Sequence, residues 1–232
     1  MKAYLLTLAA LLVWVAPQHS WATKSNPTPE AILQSHGVVL TVASLIQALE
    51  NDRPEVRENA ATVLGRLGAR NATEALRKRV DGDVFPFARL AAAAALAKFG
   101  DNIGRFYLLK ALLSDDSYQV LQSAEYLWEI DDFSGFDVVT RIARTGVLAS
   151  ERVAAIREIG RFRNSKGLAA EVGADVLIGI VNRDSDVTVR RSAAEELVEY
   201  RGPLIARTFL ALRSDSDPLI SALAEAYIAK RH

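Results

Sequence analysis

The residues able to carry out acid–base, nucleophilic or metal chemistry are few. The histidines are His19, His36 and His232, with no pair at metal-ligand spacing, and there is no cysteine. This excludes a thiolate zinc site, a cysteine nucleophile and a disulfide scaffold, and it leaves a hydrolytic triad without a convincing base. Asp131-Asp132 is the acidic pair that acid–base catalysis would use, but nothing beside it identifies a substrate or shifts a carboxyl pKa. It reads better as a solvated helix terminus. Further carboxylates stand in short polar stretches: Asn51-Asp52, Asp81-Gly82-Asp83, Asp115-Asp116, Asp184-Ser185-Asp186 and Asp215-Ser216-Asp217. Calcium is one use for them, yet the glycine and terminal Glu of an EF-hand loop are missing. Capping of the helices that follow, by accepting free backbone N–H groups, is the better reading. No catalytic, cofactor-binding or metal-ligating residue is therefore assigned, and the expectation is a non-enzyme.

Composition narrows the class further. The chain has 232 residues with 28 Lys+Arg against 28 Asp+Glu, and half its residues are hydrophobic. That balance suits a globular protein and argues against a nucleic-acid binder, whose affinity rests on cationic excess. The N-terminus reads as an export signal. Lys2 supplies a positive start, Ala3 to Ala16 is an uncharged, mostly apolar run, and Pro17 precedes Ser20-Trp21-Ala22, which places small residues at −3 and −1 of a cleavage site. Cleavage after Ala22 and a periplasmic or secreted, bacterial location are expected. An uncleaved anchor is the competing reading, but the run falls short of the roughly 20 residues of a membrane helix. Residues 23–40 form a polar leader in which Thr28-Pro29 opens a short helix through about His36.

The elements that would position any site come from an internal repeat. With Ala60 as anchor, the same slot holds Ala92, Ala124, Ala155, Ala193 and Ala224, at spacings of 32, 32, 31, 38 and 31. Three residues earlier stand Arg57, Arg89, Arg152 and Arg190; four later stand Leu64, Leu96, Trp128, Ile159, Leu197 and Ile228. Apolar residues recur at helical spacing around each anchor, and a second amphipathic stretch precedes each. The pattern predicts an all-α, right-handed α-solenoid of about six helix pairs over residues 41–232. The alanines let helices approach closely and stack the repeats. The four arginines would form a ladder along one edge, bonded to loop carboxylates of adjacent units; zero net charge disfavours their use as a polyanion track.

The repeats resemble the HEAT-like repeats of the phycobilisome-lyase type, in which an acidic turn is followed by Val-Arg, Ala-Ala and Leu-Gly. Val56-Arg57, Ala60-Ala61, Leu64-Gly65 and Asp186, Val189-Arg190, Ala193-Ala194, Leu197 carry the resemblance. It implies the fold, while scaffolds, lyases and regulators share it. The His-Glu pairs of metal-dependent hydroxylases with this fold are absent.

The third repeat departs most from its neighbours. Leu121 replaces the arginine, Glu125 the second alanine and Trp128 the leucine; Asp131-Asp132 replaces the Leu-Gly ending, and Tyr118 and Tyr126 flank the set. A rule broken within an array marks a candidate functional surface, and Trp and Tyr are frequent interface anchors. Trp128, in an apolar column, reads first as core filler, whereas Tyr118 and Tyr126 are the surface candidates. The expected partner is a protein or peptide, met by Tyr118 to Asp132 together with the face of Arg57 and Glu58. A lyase-like or enzyme-accessory role is the alternative. The apolar stripe from Leu219 to Ile228 offers a surface for a second subunit.

Overall fold

The computed structural model describes residues 27–161, 163 and 168–230. The expected export signal and its expected cleavage site lie outside the described residues. Among the described residues thirteen α-helices follow one another, with a 3-10 turn at Arg70–Ala72 and no strand. They are α1 (Pro29–Ser35), α2 (Val42–Ala48), α3 (Pro54–Arg66), α4 (Thr73–Gly82), α5 (Pro86–Lys98), α6 (Asn102–Ala111), α7 (Ser117–Trp128), α8 (Phe136–Thr145), α9 (Ala149–Arg161), α10 (Leu168–Arg183), α11 (Val187–Leu197), α12 (Pro203–Leu212) and α13 (Pro218–Ala229).

Most helix starts have a local cause. Pro29, Pro54, Pro86, Pro203 and Pro218 occupy first-turn positions, where a missing N–H costs nothing. Asp101, Asp116, Asp186 and Asp217 cap α6, α7, α11 and α13 by accepting backbone N–H groups. Of the five turns expected to cap, those of Asp116, Asp186 and Asp217 do so; α3 and α5 have no side-chain cap, and Asn51 and Asp83 accept instead from the N–H groups of Arg53 and Phe85 just before those helices. The longer interval of 38 residues between Ala155 and Ala193 contains α10, with 16 residues against 10 in α8 and α12.

The odd-numbered helices stack in order from α1 to α13, and the even-numbered helices from α2 onward each pack on the odd helix that follows. The result is an all-α solenoid of six pairs with α1 as an extra layer on α3. The short helix of the polar leader thus belongs to the stack: Leu33 is fully buried in the same core as Leu45 and Leu64. All six anchor alanines have no exposed surface. Burial of leucines such as Leu64, Leu96 and Leu108 contributes about 2 kcal/mol each.

Close approach is carried as much by glycine as by alanine. A Cβ on Gly104 of α6 would sit 2.2 Å from the Ala93 carbonyl oxygen and 2.6 Å from the Ala97 nitrogen of α5. A Cβ on Gly135, at the start of α8, would sit 2.6 Å from that of Ala124. The core divides into two clusters, one from Leu33 to Leu127 and one from Leu121 to Tyr227. They meet on α7, which gives Tyr126 and Leu127 to the first and Leu121 and Ala124 to the second.

Candidate partner-binding groove

The arginine column organises the edge of the stack. Arg57 binds Asp83 of the next repeat through two bonds of 2.7 Å, and its remaining nitrogen donates to the carbonyls of Asn51 and Asp52 at 2.8 and 3.1 Å. Arg152 repeats this on Asp184, at 3.0 and 3.2 Å, and on the Gly146 carbonyl at 2.8 Å. The carboxylate end is also a turn device, since Asp83 accepts from the Phe85 N–H and Asp184 from the Asp186 N–H. Arg57 hydrogen bonds help to hold the Asp83 carboxyl below its usual range against the opposing effect of burial.

Two members of the column differ from expectation. Arg89 reaches the Tyr107 hydroxyl at 2.7 Å and the Asp83 carbonyl, without binding a loop carboxylate. Arg190 donates to the Asp184 and Ser185 carbonyls, and the neighbouring Arg191 takes the carboxylate, binding Asp217 at 2.5 and 3.0 Å. In each case the column arginine still donates to the carbonyl six residues before it. This shared bond ties the helix to its own entry turn.

The third repeat has no such rung. Leu121 occupies the arginine slot and Gly146 occupies the slot that holds Asp83 and Asp184 in other repeats. Here a groove of about 430 Å³ opens across α7, between α5 and α9. Phe87 lines it from α5; Tyr118, Leu121, Gln122 and Glu125 come from α7, and Ala154 and Glu158 from α9, with Asp116 at the α7 cap. Tyr118 is 45% exposed, whereas Leu121 is buried and forms the floor.

The carboxylates in the groove are not equivalent. Asp116 accepts from the Tyr118 and Gln119 N–H groups and from the Gln119 amide, which together hold its carboxyl low. Gln122 donates to Glu125 at 2.7 Å, and Arg161 pairs with both Glu125 and Glu158, the latter at 3.2 Å. Burial, with Glu125 and Glu196 nearby, pushes the Glu158 carboxyl up to about 7 despite Arg161.

Of the residues singled out in the third repeat, Tyr118, Leu121 and Glu125 line this groove and the others do not. Tyr126, expected at the surface, is buried in the first core. The cause is α5, whose consecutive alanines Ala91–Ala95 make the layer thin enough for a tyrosine of α7 to approach Glu58 and Thr62 of α3. Trp128 is half-buried and packs on the second core, as a filler would. Asp131 takes the left-handed turn, φ 59°, that Gly68 and Gly100 take after α3 and α5; Asp and Asn are among the few other residues that tolerate it. Asp132 accepts from the Ser134 N–H and pairs with Arg105 at 2.6 Å, an even-row counterpart of the Arg77–Asp101 pair. Neither aspartate joins a reactive pair.

Phe87, Ala154 and Glu158 belong to the groove but do not stand out in the sequence. They sit in otherwise regular repeats, and only the stacking of three layers brings them together. The outer end of the stack leaves Leu219 half exposed, while Ile220, Ala224 and Tyr227 of α13 are buried. Among the described residues no group of three or more His, Asp or Glu side chains forms a metal cluster, and no helix is long and apolar enough to cross a membrane.

Residues 42–127 match the HEAT-repeat family. No curated protein matches the chain. Among solved structures, an engineered protein is similar at 19% identity and a TM-score of 0.50, over 81% of this chain and 95% of its own. Human deoxyhypusine hydroxylase, in complex with glycerol, aligns at 15% identity and 0.38, over 86% and 88% of the two chains. The CpcE–CpcF complex of phycocyanin lyase from Nostoc sp. PCC7120 aligns at 18% and 0.41, over 91% and 98%. At these identities the likeness to the engineered protein concerns the fold.

Proposed function

We propose that this chain, whose residues 42–127 match HEAT repeats and whose fold is an all-α solenoid, is an exported, non-catalytic module that binds a protein partner in the groove over α7. The observation that carries this reading is the groove's position: it opens at the one repeat where the arginine rung is replaced by Leu121 and Gly146. Along the same edge Arg57–Asp83, Arg152–Asp184 and Arg191–Asp217 are guanidinium–carboxylate pairs, while Arg89 binds the Tyr107 hydroxyl. Solenoids present extended surfaces to proteins and peptides, and an open apolar floor beneath a half-exposed tyrosine suits such contact.

Export rests on Lys2, the Ala3–Ala16 run and Ser20-Trp21-Ala22. Periplasmic recovery of a chain beginning at Thr23 is the expected result; a cytoplasmic chain that keeps Met1 overturns export. For the groove, a photo-crosslinking residue is placed at Tyr118 in intact cells and compared with one at Phe106, which is 71% exposed on α6. A discrete protein adduct at position 118 that is missing at 106 supports the reading. Adducts at 106 alone, or turnover of a small substrate by the isolated protein, overturn it.

A further inference from the structure

We propose that the groove over α7 accepts an extended partner segment through one basic side chain, arginine above all, flanked by apolar residues. This rests on the reading of that groove as the partner surface and names the chemistry it selects. Three carboxylates, Asp116, Glu125 and Glu158, face a space floored by Leu121 and walled by Phe87 and Ala154. The cation held there by ion pairs is Arg161, shared between Glu125 and Glu158. The Asp116 carboxylate is held by backbone N–H groups and the Gln119 amide. In four other repeats this column carries an arginine of its own; here Leu121 brings none, so the groove keeps a negative excess over an apolar floor.

A guanidinium suits that surface better than a compact ammonium. It is planar and weakly hydrated, it binds carboxylates through paired N–H groups, and its faces stack on rings such as those of Tyr118 and Phe87. The apolar floor then takes the neighbouring side chains of the same segment. Charge complementarity of this kind sets which partner is accepted more than it sets raw affinity.

A random linear peptide library displayed on phage is selected against the folded mature protein, with Tyr118→Ala as counter-selection. Groove-dependent peptides that share an arginine or lysine beside apolar residues are the expected outcome. An enriched peptide should then bind Glu125→Gln and Glu158→Gln about tenfold more weakly. Its affinity should fall with added salt, and also between about pH 8 and about pH 6, because Glu158 gains a proton near 7 where Glu125, Glu196 and Arg161 surround it. Unchanged affinity in both Gln variants overturns the inference. Groove-dependent peptides without a basic residue overturn it too, yet leave the partner groove standing, whereas a selection that yields no groove-dependent peptide overturns both.

Discussion

The turns before α5 and before α9 occupy the same place in their repeats and are built differently. Before α5, Asp83 is fully buried between Arg57 of the preceding repeat and the N–H of Phe85, and Arg89 closes on its carbonyl. Before α9, Gly146 offers no carboxylate and Leu121 no guanidinium, so Arg152 binds only the glycine carbonyl there and sends its other nitrogens forward to Asp184. One turn spends charge on closing the edge. The other is uncharged, and its counterpart Leu121 floors the groove whose carboxylates are Asp116, Glu125 and Glu158. Regularity in a repeat array thus measures how much of the surface is already committed to the array itself.

The sharpest way to break this contrast is to remove a closed rung. Arg57→Leu leaves Asp83 buried without its partner and should cost about 4 kcal/mol in urea unfolding. Arg191→Leu removes the same kind of pair from a site where the arginine is 36% exposed, and should lower the unfolding midpoint far less. Equal losses would show that burial does not separate the two rungs. Gly104→Ala tests close approach in the N-terminal half: a methyl group against the α5 backbone should cost about 3 kcal/mol, read as a lower midpoint.

The groove carboxylate predicts an effect of opposite sign. Glu158 is raised to about 7, above its unfolded value, so folding favours its protonated form. Its burdening of the fold is therefore present above about 7 and relieved as pH falls toward the unfolded value near 4.5. Glu158→Gln should stabilise the protein by about 2 kcal/mol at about pH 8, with the gain vanishing by about pH 4 in paired unfolding curves. The smallest expected effect is at the far end of the stack. Bonds from Arg191 and from the Ile220 and Leu219 N–H groups hold the Asp217 carboxyl at about 2. Its stabilisation is present above the ordinary aspartate range and is lost as pH falls toward about 2, so Asp217→Asn should flatten only the acid limb of the stability profile.

Much of the architecture was legible because it depends on period and local chemistry. The alanine column, the prolines at helix starts and the capping aspartates act within one repeat or between adjacent ones, and their spacing carries the information. The groove was only half legible. Leu121 and Glu125 stood out as broken rules, and Tyr118 as an aromatic beside them. Phe87, Ala154 and Glu158 break no rule in their own repeats. Tyr126 misled for a related reason: its fate depends on the volume of α5, one layer away. Gly104 and Gly135 are invisible as packing devices until the helices they touch are in place.

The sequence alone determined an all-helical stack of six pairs, its register and the position of its irregular repeat, because hydrophobic period, proline and capping residues act over a few residues of chain. Tertiary packing decided which arginine closes which carboxylate, which aromatic is buried and where a groove remains. Those outcomes depend on side-chain volume and charge compared across three layers of helices, a comparison that exists only once the layers are stacked.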